Sequence, residues 1–135
     1  MAGAVVIGAG PGIGRAVALR FAREGLPLAL ISRSGADSLV PSAFSYTADS
    51  SDEDALRAAL DAAAEDLGHP EVVVYNAALI RPDVPGELPM RGQLHAWAVN
   101  VLGALTAAAH VLPRMTHGSK SVPGATGPAT VTEAT

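Results

Sequence analysis

Residues 3–14 read Gly3-Ala4-Val5-Val6-Ile7-Gly8-Ala9-Gly10-Pro11-Gly12-Ile13-Gly14, and this stretch decides the fold. Ala4 to Ile7 is a short apolar run, β-branched and without alternation, which is the pattern of a strand buried on both faces. Behind the glycines the apolar residues Ile13, Val17 and Phe21 recur every four, and Gly25 and Pro27 supply a stop signal, so a helix is predicted over Ile13–Glu24. A glycine-rich turn leading from a buried strand into a helix is suited to a nucleotide pyrophosphate. Backbone N–H groups converge there, the positive end of the helix dipole faces the anion, and only glycine lets the backbone come so close.

Leu28–Ser32 is a second buried strand, completing one strand-helix-strand unit. The Ser/Gly/Pro-rich stretch Ser34–Pro41 predicts a tight loop before a third strand at Ala43–Thr47. Ser51 stands three residues before Asp54, and Asp52, Glu53 and Asp54 open a helix with Leu56, Leu60 and Leu67 on one face and Gly68 beyond its end. A fourth strand follows at Val72–Tyr75. The segment Met90–Met115 then carries Leu94, Trp97, Val101, Leu105, Ala108 and Leu112 at helical spacing, which predicts one long helix. Strands alternating with helices imply an α/β fold with right-handed crossovers: a Rossmann-like, doubly wound parallel sheet of four strands in the order 3-2-1-4. Residues 1–115 make up this domain. Residues 116–135 hold five Thr, three Gly and two Pro, with two Val as their only large aliphatics, and are expected to form an irregular tail.

The 135 residues are one domain by length, 49% hydrophobic and 16% charged, too apolar for disorder. Net charge is −4 and the nine basic residues are scattered, which argues against a nucleic-acid partner. There is no cysteine, so no disulfide framework or thiolate chemistry, and a reducing cytoplasm is the expected location. The run Ala4–Ile7 is too short to span a membrane and lacks the basic flank of a signal peptide, so no membrane role is expected. His69, His95, His110 and His117 show no metal-ligand spacing and read as surface histidines, with no metal expected. Trp97, on the apolar stripe, is expected in the core or at an interface.

Glycine spacing discriminates further. A G-x-G-x-x-G fingerprint would put its third glycine on Ile13 or on Arg15, and both registers fail. Gly8, Gly12 and Gly14 instead give G-x-x-x-G-x-G, and in this the chain resembles the short-chain dehydrogenase/reductase family over roughly residues 3–115. Ile7 stands where that family usually has Thr. The resemblance implies a nicotinamide dinucleotide held by Gly8, Gly10, Pro11, Gly12, Ile13 and Gly14. In Thr47-Ala48-Asp49-Ser50-Ser51-Asp52, Asp49 with its neighbour Ser50 looks like the family's acidic site after strand three, which accepts a hydrogen bond from the adenine amino group. Tyr75-Asn76-Ala77-Ala78 is similar to the family's Asn-Asn-Ala-Gly element. Tyr75 and Ala78 are departures, so Asn76 and Ala77 are what carry over, with Ala78 beside them among the implied cofactor-binding residues. Asn100, in Val99-Asn100-Val101-Leu102-Gly103, is similar to a helix Asn that supports the family's catalytic Lys through water. At the end of strand two stand Ser32 and Arg33, where an acid would serve the ribose hydroxyls of NAD or of a methyl donor. An arginine offers a planar fork of donors to a 2′-phosphate, so NADP is expected ahead of NAD.

The resemblance also implies a catalytic Tyr that exchanges a proton with the substrate oxygen, a Lys four residues on that lowers its pKa, and a Ser on the preceding strand. Four beyond Tyr46 is Ser50, four beyond Tyr75 is Leu79, and the only lysine, Lys120, has Thr116 four before it. Ser119 and Ser121 lie in the tail with no apolar strand to position them. The expected function is therefore an NADP(H)-binding, truncated dehydrogenase-like protein without hydride transfer of its own. The alternative is an oxidoreductase with a non-standard site or one completed by a partner chain. The change of composition after Arg114 would also suit a fragment or a frame-shifted product. Because the helix 90–115 is apolar around much of its girth, and the family commonly dimerises through equivalent helices, a homodimer or a complex with a fuller homologue is expected.

Overall fold

The structure, a computed structural model, describes residues 3–35, 40–80 and 84–118. Its centre is β1 (Ala4–Ile7), fully buried as its unbroken apolar run requires. β1 pairs in parallel with β2 (Leu28–Ser32), Ala4 opposite Leu28, and with β4 (Val72–Tyr75), Ala4 opposite Val72. β3 (Phe44–Thr47) adds to the far side of β2, giving the order β3-β2-β1-β4. The strand begins one residue later than Ala43. The expected loop Ser34–Pro41 falls partly outside the described residues, although Val40 is buried on the sheet.

Side chains alternate across the sheet, so each strand feeds two cores. Val5, Ile7, Ala29 and Ile31 meet Leu56, Ala59, Leu60, Ala63, Ala107 and Val111 on one face. Ala4, Val6, Leu28 and Leu30 meet Ala18 and the half-buried Val17 and Phe21 on the other. Each fully buried Leu, Ile or Val contributes roughly 1.5–3 kcal/mol. The second face is covered by α1 (Ile13–Arg23), on which Gly14 and Ala18 are buried. Ile13, expected on the packing side, is 71% exposed and joins neither core.

The first face is covered by α2 (Glu53–Leu67) and by the long C-terminal helical segment. The cap of α2 is Asp52, whose carboxylate accepts from Ala55 N at 3.1 Å, and not Ser51. Ser51 is already engaged, since both its N–H and its hydroxyl donate to Asp49 Oδ1.

The predicted single helix over Met90–Met115 is interrupted. α3 (Met90–Trp97) passes into a π-helical turn, Ala98–Leu102, and then into α4 (Gly103–Gly118), which runs past position 115. The Gly103 N–H reaches back five residues to the Ala98 carbonyl, so one residue is inserted into the turn and the register of α3 is rotated relative to α4. The expected packing stripe is overturned on both sides of the turn. Val99, Gly103, Ala107 and Val111 are the buried positions, four apart; Ala107 and Val111 pack against α2 and the sheet, while Gly103 abuts Tyr75 and the Ser50 carbonyl. Leu94, Trp97 and Leu105 instead stay 59%, 50% and 54% exposed, so Trp97 is not a core residue. Across this contact Asp61 Oδ1 receives His110 Nε2 at 2.7 Å and Arg114 Nη1 at 2.8 Å. By length and composition alone Met90–Met115, with mean hydropathy 1.4, could cross a membrane. In this fold its Ala107 and Val111 pack on α2 and the sheet. Residues 119–135 lie outside the described part.

Candidate nucleotide site

The C-terminal ends of β1, β2 and β4 and the loop after β3 border a single cavity of about 360 Å³. The connections leaving the neighbouring strands β1 and β4 pass to opposite faces of the sheet, which opens a crevice of the kind where α/β sheets take ligands.

The glycines after β1 divide into two kinds. Gly8 has φ +85° and donates to the Ile31 carbonyl at 2.8 Å. A Cβ there would overlap Ala77 N and lie 2.6 Å from Ala77 Cα. Gly14 is equally confined, because a Cβ would meet the Gly8 carbonyl and lie 2.9 Å from Ala9 Cα. Around Gly10 and Gly12 no atom would lie within 4 Å of such a Cβ. The first pair serves the packing of the loop on its own protein, and the second leaves open space beside the N-terminus of α1, where the helix dipole favours an anion.

Asn76 fastens this loop to the one after β4. Its backbone N–H donates to the Ile7 carbonyl at 2.7 Å and its Nδ2 to the Gly8 carbonyl at 3.1 Å. Ser32, Arg33 and Ser34 form the wall at the end of β2. Ser32 Oγ is buried and has no hydrogen-bond partner among the described residues, a costly state that a ligand hydroxyl or phosphate could relieve. Asp49 lies in the loop after β3. Hydrogen bonds from the Ser51 hydroxyl and N–H to its Oδ1, and the nearby cationic groups Arg33 and His95, hold its carboxyl below the usual range. It remains an anionic acceptor, and neither Ser51 bond uses its Oδ2.

The cavity therefore brings together Gly8, Gly10, Pro11, Ser32, Arg33, Asp49, Ser50, Asn76, Ala77 and Ala78. Gly12, Ile13, Gly14 and Asn100 do not line it. Asn100 acts at one remove, with Oδ1 accepting from Leu79 N at 2.7 Å and Nδ2 donating to the Leu79 carbonyl at 3.1 Å. Both of its amide atoms clamp the loop after β4. Sequence reasoning missed Ser34, Ala48, Leu79, His95 and Val99 as lining residues. For His95 and Val99 the four-residue spacing was readable, but the register shift at the π turn was not. Two of the presumed surface histidines are half-buried: His95 faces the cavity and His110 binds Asp61. His69 is exposed, and the side chain of His117 lies outside the described part.

Both tyrosine hydroxyls have structural partners, Tyr46 donating to Asp66 on α2 and Tyr75 to the Val99 carbonyl in the π turn. Desolvation pushes both pKa values up, further reinforced at Tyr46 by the Asp66 carboxylate. Neither has the lowered pKa that proton exchange with a substrate requires near neutrality. Glycine-loop backbone N–H groups, the orphan serine and the arginine as donors, with the Asp49 carboxylate as acceptor, fit the adenosine and pyrophosphate portion of a dinucleotide.

The family model for short chain dehydrogenases matches residues 2–122, and the chain belongs to that family. No curated protein matches it. Among solved structures, a variant of a Serratia marcescens short-chain dehydrogenase/reductase is 27% identical with a TM-score of 0.75, covering 97% of this chain and 64% of that one. A short chain dehydrogenase from Mycobacterium thermoresistibile, 24% identical, has a TM-score of 0.81 over 89% of this chain and 48% of its own. Thermoplasma acidophilum aldohexose dehydrogenase, 23% identical, has a TM-score of 0.78 over 98% and 57%. The last two speak to the fold alone. The chain spans about half to two thirds of the length of these structures.

Proposed function

We propose that this domain binds NADP(H), and that these 135 residues alone do not reduce carbonyl compounds. Members of the family bind nicotinamide dinucleotides, and the observation that carries the reading here is the single cavity in which the glycine loop, Arg33 and Asp49 meet. The Gly10 and Gly12 backbone leaves room for the pyrophosphate, Arg33 supplies a fork of donors to a 2′-phosphate with no acid opposing it at that position, and Asp49 accepts from the adenine amino group. A bound nicotinamide would donate or accept hydride. Neither tyrosine is placed to move the accompanying proton, since both hydroxyls are held in structural hydrogen bonds, and no Tyr-x-x-x-Lys occurs in the sequence.

The exposed apolar face of α3 and α4 supports association through it, with a second copy or with a fuller homologue that completes an active site. The lack of cysteine is compatible with a reducing, cytoplasmic setting. Calorimetry tests the main reading. NADPH should bind more tightly than NADH, and Arg33→Asp should reverse the order; equal affinities, or a ratio unmoved by the substitution, would remove the NADP assignment. A panel of aldehydes, ketones and quinones should give no NADPH oxidation above background, and robust turnover would favour an active oxidoreductase with a non-standard site.

A further inference from the structure

We propose that Tyr75 is a positioning residue for the adenine end of the nucleotide: its hydroxyl ties the Asp49-Ser50 turn to the π turn and so sets where the Asp49 carboxylate meets the base. The proposal rests on the reading that Asp49 accepts from the adenine amino group of a bound dinucleotide.

Tyr75 closes β4 at the position where the chain departs from the family's Asn-Asn-Ala-Gly element. It does not line the cavity. Asn76, the next residue, turns its side chain to the glycine loop, whereas the Tyr75 ring packs against the first core, beneath α2 and α4. There its Oη donates to the Val99 carbonyl in the π turn, and the Ser50 side chain, from the loop after β3, hydrogen-bonds to the same oxygen. A phenol oxygen can serve one neighbour as donor and another as acceptor. The place is fixed by a third segment as well. A Cβ on Gly103 would overlap Tyr75 Oη and lie 2.7 Å from the Ser50 carbonyl, so the loop after β3, the end of β4 and the start of α4 all converge at this hydroxyl.

The two segments joined by Tyr75 both border the cavity, Ala48, Asp49 and Ser50 from one side and Val99 from the other. The turn that carries Asp49 is stiff within itself, because Ser51 donates twice to Asp49 Oδ1 and Asp52 N–H donates to the Asp49 carbonyl at 2.9 Å. Its ends are held too. Ala48 N–H donates to the Ser32 carbonyl at 3.0 Å, and Asp52 caps α2. Between these ends Ser50 is buried, and the phenol oxygen is the partner that its side chain finds there. Removing the hydroxyl would leave buried polar groups unpaired on both sides, at Ser50 and at the Val99 carbonyl, and each would be driven to move toward another partner. Because the turn is stiff, such a shift carries Asp49 with it. A hydrogen bond to a carboxylate weakens steeply with misalignment, so the contact with the adenine amino group is what the shift would cost.

The test uses the full chain and calorimetry with two ligands, NADP+ and its hypoxanthine analogue, in which a carbonyl oxygen replaces the adenine amino group and would face the Asp49 carboxylate. Wild type should favour NADP+ by roughly tenfold or more, as one hydrogen bond to a charged group allows. Tyr75→Phe should weaken NADP+ by roughly fivefold and the analogue by less than about twofold, so that the preference for adenine shrinks. Ser50→Ala cuts the same link from the loop side and should act alike. The double variant should lose no more than either single change, because both remove one connection. Circular dichroism should match wild type throughout; where Tyr75→Phe fails to fold, Ser50→Ala carries the comparison between ligands. Equal losses for the two ligands overturn the proposal by reducing Tyr75 to a support of the fold. An adenine preference kept in full by both variants overturns it too, as do losses that add in the double variant. In each of those results wild type still prefers adenine and the Asp49 reading stands. Wild type that binds both ligands alike removes the Asp49 reading and the proposal with it, and wild type that binds neither removes the nucleotide site as well.

Discussion

Single glycines in the loop after β1 answer to different neighbours, and substitution can separate them. At Gly8 a methyl group would strike the Ala77 backbone at a residue that already has φ +85°. Neither the loop nor the β4 terminus can yield, because Asn76 ties them together. Gly8→Ala should therefore lower stability by about 1–3 kcal/mol, as overpacking of a rigid site does, with nucleotide binding lost in consequence; denaturant unfolding will show it. Gly10→Ala meets nothing within 4 Å and should leave the unfolding midpoint almost unchanged. If the space beside Gly10 belongs to a pyrophosphate, the same variant should still weaken NADP+ at least tenfold by calorimetry, since a methyl would hold the phosphate off the helix N-terminus. Unchanged affinity would move the pyrophosphate elsewhere in the cavity.

Between β4 and α4 the deciding element is the π turn. Because Gly103 N–H is directed to Ala98, the Val99 carbonyl is free to accept the Tyr75 hydroxyl, and Gly103 has no room for a side chain, its Cβ position lying 2.7 Å from the Ser50 carbonyl and overlapping Tyr75 Oη. Tyr75→Phe should cost about 1–2 kcal/mol and speed amide exchange across Ala98–Leu102. Gly103→Ala should cost more, and adding Tyr75→Phe should restore only part of the loss, because the Ser50 backbone stays in place. The α2–α4 tie gives a pH dependence of its own. Hydrogen bonds from Arg114 and His110 hold the Asp61 carboxyl below its ordinary value of 3.8, so its contribution is present above that value and is lost as pH falls through the lower, folded one. Acid unfolding below about pH 4 should be steeper for wild type than for Asp61→Asn. The sequence made strands, order and glycine loop legible because each rests on a local pattern: an apolar run, a helical period, a stop at Gly25 or Gly68. Asp49, Arg33 and Asn76 were legible through their positions at strand ends. His95 and Val99 were not, because one inserted residue in the π turn, stabilised by a tyrosine 24 positions away, rotates the side chains before it; the true packing stripe was not, because it runs through Gly103 and Ala107, small residues that an apolar periodicity does not single out. The capping role of Asp52 was hidden for a similar reason, since the hydroxyl of Ser51 is taken by Asp49.

For the molecule as a whole, the outward face of α3, the π turn and α4 sets the behaviour in solution. Met90, Leu94, Trp97, Val101, Leu102 and Leu105 are all exposed there, and β4 is an edge among the described strands. Monomeric proteins seldom leave so many large apolar groups in one contiguous stretch. If covering each regains roughly 1 kcal/mol, two such faces together gain on the order of the estimated 4–15 kcal/mol that association costs. Pairing should then be concentration-dependent and weaken sharply when the face is made polar. Light scattering should show mass rising from monomer toward dimer with concentration, and Trp97→Glu with Leu105→Glu should abolish that rise. The altered chain should keep its circular dichroism, because neither side chain belongs to the core clusters. It should also keep its NADP+ affinity, since the cavity is lined by the opposite side of the segment, at His95 and Val99. Wild type that stays monomeric, soluble and folded at high concentration would sink the association, and so would a double variant that dimerises as before.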